Sequence, residues 1–345
     1  MTQPSQSLDQ RIAGYISDYD AQGIHRTGTE VDLKSAEWLS DLIRDMGLEA
    51  TLNPLPLERI QVLKSEITVE DRRLEGIPMF DCGAYTDSGG ITGRLGDIND
   101  SEADIGVSLV PPSPVHENAV RFTEARKTRG FKAMVSITYG PSDSKGLFLM
   151  NAFQFREPFG PPVLQVSGHD SEWLQEAVRA GKTTTVTVST ERVATDAFNV
   201  EIRVEGTDST LAPLVVFTPR SGWWPCASER GGGIAAWLEL IRAMQQSRPK
   251  RDVIFTANTG HELHHLGMNH FLASNPTLLK EAFAWIHLGA NFAAADNTVA
   301  VISSEERLKD DFVQAVPGID MHTAVGRPFG EGIPIYESGG RFISV

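Results

Sequence analysis

The chain has 345 residues, with Asp+Glu 45 against Lys+Arg 31 and a formal net charge of −14. That length holds roughly two average domains, or one large α/β unit with an insertion. Hydrophobic residues at 41% exclude a disordered chain, and the acidic balance argues against a nucleic-acid groove, which needs clustered Lys and Arg. Two cysteines, Cys82 and Cys226, form no disulfide scaffold and no zinc-binding pair; they read as reduced, buried thiols. The N-terminal MTQPSQSLDQ lacks the basic and apolar stretches of a secretory signal, and no membrane-length apolar run follows. The expectation is a cytoplasmic protein with no membrane or nucleic-acid partner.

Along DLKSAEWLSDLIRDMG, residues Ala36, Leu39, Leu42, Ile43 and Met46 recur at helical spacing and Gly47 stops the run. From about residue 72 to 206 short β-like runs alternate with Gly, Asp and Pro, interrupted by the helical ENAVRFTEARKTRG and SEWLQEAVRAG. This stretch reads as a β-rich insert, 72–206, in a core formed by 1–71 and 207–345. The core resumes with the strand LAPLVVFTPR and the helix GGGIAAWLELIRAMQQ, whose apolar stripe is Ile234, Trp237, Leu238 and Ile241. Next come the strand DVIFTANTG, a predicted helix ELHHLGMNHFLAS, and the strand FAWIHLGANFA. Strands alternating with helices imply a largely parallel sheet, with ligands beyond the carboxyl ends of its strands.

Four of the 9 histidines crowd together at His261, His264, His265 and His270, and His287 closes the next strand. His261-Glu262-Leu263-His264-His265 matches H-E-x-x-H, in which two imidazoles on one helical face hold zinc and the glutamate activates water. Its place directly after a strand fits that pattern poorly, and Gly267 and His270 come one residue too early for the extended form. His264 and His270 read more simply as packing or capping residues. At the other strand ends stand Thr218 and Arg220, then Trp223, Trp224, Cys226 and Glu229 before the helix at Gly231. The two tryptophans are either pocket lining or core. Cys226 has no nucleophile signature around it, and GGGIAA lacks the spacing of a phosphate loop.

The order of these segments resembles the M28 zinc aminopeptidase family with a protease-associated (PA) insert. HRTGTEVDLKSAEWLSDLIRDMGLEA is similar to its N-terminal helices; GFKAMVSITYG, PPVLQVSGHDSEWLQEAVRAGKTTTVTV and FNVEIRVEG are similar to the PA domain. LAPLVVFTPR, ASERGGGIAAWLELIRAM, DVIFTANTGHELHHLG and WIHLGAN are similar to the catalytic core. The resemblance implies an α/β fold of the zinc-exopeptidase, phosphorylase-like kind: a mostly parallel mixed sheet flanked by helices, with a β-rich PA-like insert. It also implies departures at the metal site. The family's His-x-Asp falls on Thr218-Pro219-Arg220, its bridging aspartate on Glu229, its Glu-Glu pair on His261-Glu262, and its later aspartate on Gly289, with His287 two residues before. The final histidine ligand would follow GIPIYESGGRFISV, where the chain ends before a match.

Three readings stay open. The first is a divergent hydrolase of amide or peptide-like small substrates, lacking the standard two-zinc site. Its catalytic residues are His261, Arg220 and His287, and its pocket is Thr218, Trp223, Trp224 and Cys226. Its cofactor is either one zinc or other divalent ion, with Glu229, Glu262 and His265 as candidate ligands, or no metal, with His261 as base and Arg220 facing the oxyanion. The second is a non-catalytic binding protein on the same scaffold, and the third a single-zinc H-E-x-x-H peptidase. A homo-oligomer is compatible with all three.

Overall fold

The computed structural model describes residues 6–289 and 298–345. The chain divides into two compact units, 1–57 with 195–345, and 58–194. The insert expected at 72–206 is thus set against divisions that fall inside two long strands, Thr51–Val69 and Thr183–Val204. Residues 290–293, the end of the predicted strand FAWIHLGANFA, lie outside the described residues. Among the described residues no helix is long and apolar enough to cross a membrane.

In the first unit Leu214–Pro219 lies between Val253–Asn258 and Ala284–His287, parallel to both. Phe342–Ser344 runs parallel beside Ala284–His287 and antiparallel to Thr298–Ser303. Thr298–Ser303 pairs in parallel with Asp320–Val325. On the other side, residues 200–204 of the long strand run antiparallel to Val253–Asn258. The result is a mixed, mostly parallel sheet. Successive residues of a strand face opposite sides: Val216, Phe255 and Ala257 join a core with Ile234, Trp237 and Leu238, while Val215 and Phe217 join one with Met268, Phe271 and Trp285. Helices cover both faces, as a parallel sheet requires.

The helices form where the sequence predicts. Leu8–Asp20 opens with a capping box, Ser7 and Gln10 each bonding the other's backbone N–H. Glu30–Asp45 starts at the Thr29 cap, buries Ala36, Leu39 and Ile43, and stops before Gly47, whose φ of +80° a β-carbon would disfavour. Gly232–Gln246 buries the whole predicted stripe Ile234, Trp237, Leu238 and Ile241. One expectation fails. Residues 261–265 are a turn, and the helix after Val253–Asn258 begins only at Leu266.

In the second unit, Ile91–Asp97, Ile105–Val110, Ala133–Thr138 and Val163–Ser167 form a parallel run. It is flanked antiparallel by residues 183–186 on one side and Ile77–Pro78 on the other. Glu117–Thr128 and Ser171–Arg179 are its helices. Two apolar clusters fill it, one around Leu95, Ile105 and Val135 and one around Phe122, Phe131 and Met134.

Candidate active site at the strand carboxyl ends

After Asn258 the chain leaves the sheet through Gly260, at φ +75°, and turns back so that Gly267 N donates to Thr259 O at 3.0 Å. The hairpin is tight. His264 and His265 both take left-handed backbone, at φ +59° and +57°, a conformation that costs about 1–2 kcal/mol for a residue with a β-carbon. Such strain is kept where the surrounding structure holds it, commonly at functional sites. The first part of the predicted helix ELHHLGMNHFLAS is therefore corrected to a strained turn, with the helix itself at Leu266–Ser274, and the imidazoles of His261 and His265 stand with ring centroids 5.1 Å apart.

Beneath this turn lies a buried polar bed. Glu262 points into it, accepting from Thr27 N at 2.7 Å and Ser221 Oγ at 2.8 Å. Ser221 Oγ in turn accepts from His261 N at 3.0 Å. Arg220 is wholly buried and its Nη1 bonds Asp32 Oδ1 at 2.8 Å and Asp32 O at 2.7 Å, while Nη2 bonds Phe198 O. The Asp32 carboxylate also accepts from Gly28 N and Thr259 Oγ1. Burial raises its pKa, and the Arg220 charge opposes that rise without cancelling it.

Above the bed, three groups meet. Glu331 sits in the turn Gly330–Gly332, entered through Gly330 at φ +62°, and its side chain is 0% exposed. One carboxylate oxygen lies 3.3 Å from His261 Nδ1 and the other 3.6 Å from His287 Nε2. None of these four atoms makes a hydrogen bond of normal geometry within the protein. His287 is fixed by stacking on Phe217, with centroids 4.7 Å apart, and by Ser344 Oγ 2.9 Å from its Nδ1. Burial pushes the Glu331 carboxyl upward, but His261, His287 and His265 more than reverse this and hold it well below the usual carboxylate range. His265 goes the other way. Burial lowers its imidazole to about 4, against the opposing pull of Glu331.

The structure brings together His261, His265 and His287 from the sequence-based candidates, and adds Glu331, which sequence reading missed. The only local signal for Glu331 was an acid between two glycines. The remaining candidates lie elsewhere. Glu229 is 47% exposed and pairs with Arg230 at 2.8 Å. Thr218 Oγ1 is buried and donates to Leu288 O at 2.9 Å. Trp223 is buried, Trp224 exposed. The Cys226 thiol is raised by burial to about 11, so it is protonated at neutral pH. Among the described residues no group of three or more His, Cys, Asp or Glu side chains is placed so that it could hold a metal ion.

This segment has known kin. Residues 208–317 match the family model of peptidase family M28. The M28 segment carries Arg220, His261 and His287 but not Glu331. The whole chain is similar in fold to a zinc aminopeptidase from Bacillus subtilis, with a TM-score of 0.78 over 99% of this chain and 85% of that one, at 16% identity. An aminopeptidase from an Aneurinibacillus species gives 0.70 over 98% and 84%, at 16% identity. A peptidase M28 precursor from Shewanella amazonensis gives 0.71 over 98% and 86%, at 12% identity. No curated protein sequence matches. The chain thus has an M28 peptidase-like hydrolase fold, a mixed α/β sheet flanked by helices.

Proposed function

We propose that this chain is a hydrolase of amide or peptide-like small substrates that works without the standard two-zinc centre of M28 peptidases, and that Glu331, His261 and His287 form its reacting site. The observation that carries the reading is the Glu331 carboxylate: wholly buried, facing two imidazoles, and satisfied by no ordinary hydrogen bond. A carboxylate is costly to bury, by several kcal/mol, and among the described residues this one is paired only with two imidazoles, at 3.3 and 3.6 Å; we read titratable groups held so in a cleft as kept for a task. Its position beyond the carboxyl ends of parallel strands is where α/β sheets place ligands.

Two zinc ions do not suit the remaining residues. Thr218 spends its hydroxyl on Leu288 O, Arg220 is buried with both terminal nitrogens bonded, and Glu262 is bonded to Thr27 and Ser221. Gly289 has no side chain to offer. Nor do the described residues gather three or more His, Cys, Asp or Glu side chains where they could hold a metal ion. The protein's own part is positional. Glu331 orients both imidazoles. With His261 Nδ1 turned to Glu331, its Nε2 is the ring atom that exchanges a proton with water. The stretch 72–206 is assigned as the PA-like insert on the resemblance of its segments.

A non-catalytic binding role is the second reading, favoured by the internal bonding of Thr218, Arg220 and Glu262. Hydrolysis of a panel of aminoacyl amides, dipeptides and N-acyl amino acids by the full chain separates the two. Turnover that falls at least 100-fold in His261→Ala supports the hydrolase; no turnover of any substrate, or full turnover in His261→Ala, removes it.

A further inference from the structure

Within the unit 58–194, a cleft of about 260 Å³ is lined by the helix Glu117–Thr128 and by residues 150–159. Val120, Thr123, Glu124 and Lys127 stand at i, i+3, i+4 and i+7, so one face of that helix forms its side. Met79 and Met150, both buried, and the ring of Phe159 give it an apolar lining, and thioethers adapt to varied shapes. Gly160 lets the loop close onto the helix. Its φ is +72°, and a β-carbon there would stand 2.9 Å from Arg126 O.

Arg126 lines the same cleft, with 2% of its side chain exposed. Its Nη2 donates to Asp81 Oδ1 at 2.9 Å, Asp81 O at 3.0 Å and Phe159 O at 3.2 Å, whereas its Nε is buried without a hydrogen-bond partner. A buried donor in that state marks a place for an acceptor that the chain itself does not supply. Asp81 cannot be that acceptor, because its Oδ2 is taken by Gln154 N at 3.3 Å. Lys127 adds a second positive charge: Arg126 Cζ lies 4.2 Å and Lys127 Nζ 5.5 Å from the centroid of the Phe159 ring. Two cations against one aromatic ring, with apolar lining beside them, suit an anion that carries an apolar body. We propose that this cleft binds a small monocarboxylate, its carboxylate facing the Arg126 guanidinium and Lys127 and its apolar body against Met79, Met150 and Phe159. The volume lies below the roughly 300–1,000 Å³ of sites for drug-sized molecules, so the ligand is of single-amino-acid size and not an oligopeptide. Glu124, on the same helix face, suits an α-ammonium group, so a free apolar amino acid and its deaminated acid are two sources of one chemistry. The site belongs to a different unit from His261, His287 and Glu331 and stands whether or not the chain hydrolyses a substrate.

The test titrates the full chain with phenylalanine, with hydrocinnamate (the same molecule without its amino group) and with the neutral amide of hydrocinnamate. Binding is read by calorimetry and by the isotope-labelled methyl signals of Met79 and Met150. The expected result is one acid bound per chain, with both methyl signals shifted and the amide at least about tenfold weaker. Lys127→Gln, at an exposed position, weakens the acids about tenfold, and Val120→Trp, 53% exposed in the native chain, fills the cleft and removes binding. His261→Ala leaves binding unchanged. Tighter binding of phenylalanine, with the preference lost in Glu124→Gln, supports the site and names an amino acid as its source; tighter binding of hydrocinnamate supports it and names the deaminated acid. No binding of either acid, equal binding of the amide, or undiminished binding in a Val120→Trp chain that is folded by circular dichroism overturns the proposal. Loss of binding in His261→Ala also overturns it, by assigning the acid to the reacting site.

Discussion

Glu331 Oε1 lies 3.3 Å from Nδ1 of His261, although one residue belongs to a turn near the end of the chain and the other to the hairpin after Val253–Asn258. Gly330 makes the approach feasible, because its φ of +62° turns the backbone so that Glu331 faces inward. An alanine there finds space, with His265 Nε2 the nearest atom at 3.8 Å, but not a comfortable backbone. Gly330→Ala is expected to cost about 1–2 kcal/mol and to lower substrate turnover by shifting Glu331 from the imidazoles, read by urea denaturation and by initial rates. Unchanged values in both would mean that the turn does not depend on left-handed backbone.

Glu262 is the residue that an H-E-x-x-H reading makes the water activator. Its carboxylate is instead bonded to Thr27 N and Ser221 Oγ, and bonds to a charged group of this kind are worth about 1.5–3 kcal/mol each. Glu262→Gln is therefore expected to lower stability by a few kcal/mol, with substrate turnover retained within about tenfold. Turnover lost in a fully folded variant would return Glu262 to the chemistry.

Arg220 and Asp32 are both buried and bonded at 2.8 Å. Removing one partner of such a pair leaves the other charge uncompensated, at a cost of about 3–5 kcal/mol. Arg220→Met should show that loss in denaturation midpoint. Replacing Asp32 by Leu in the same chain should recover part of it, since contacting residues couple. Additive losses would mean that the ion pair carries no coupling.

Acid sensitivity has a defined source in Asp252. Its carboxylate accepts from Gly206 N at 2.7 Å and pairs with Arg203, and these, the backbone bond first, hold its pKa below the ordinary value. A depressed pKa means that the unfolded chain binds the proton more readily. The contribution is thus complete above the ordinary aspartate pKa of about 3.9 and disappears as pH falls through the lower folded value. Asp252→Asn should flatten the fall of stability below about pH 4. An unaltered acid limb would place that sensitivity elsewhere.

Much of the fold was legible because it rests on local periodicity. The stripe Ile234, Trp237, Leu238 and Ile241 marks one helix face, and the Gly47 stop ends another helix, without reference to any distant residue. The turn at 261–265 was not legible. Its residues have acceptable helix propensity, but Gly260, the Gly267 N–H bond to Thr259 O and the pull of Glu262 into the Thr27 and Ser221 bed override it.

The sequence by itself determined the strand and helix order and the resemblance to M28 aminopeptidases. It could also nominate His261, His265 and His287, because strand ends in an α/β sheet face the site. Only the tertiary structure decided that Arg220, Glu262 and Thr218 are spent on internal bonds, and that Glu331 is the acid facing two of those imidazoles. The physical reason is range. Element formation is governed by neighbours within a turn or two, whereas which buried acid meets which histidine depends on sheet order and on loop backbone that a chain spacing does not encode.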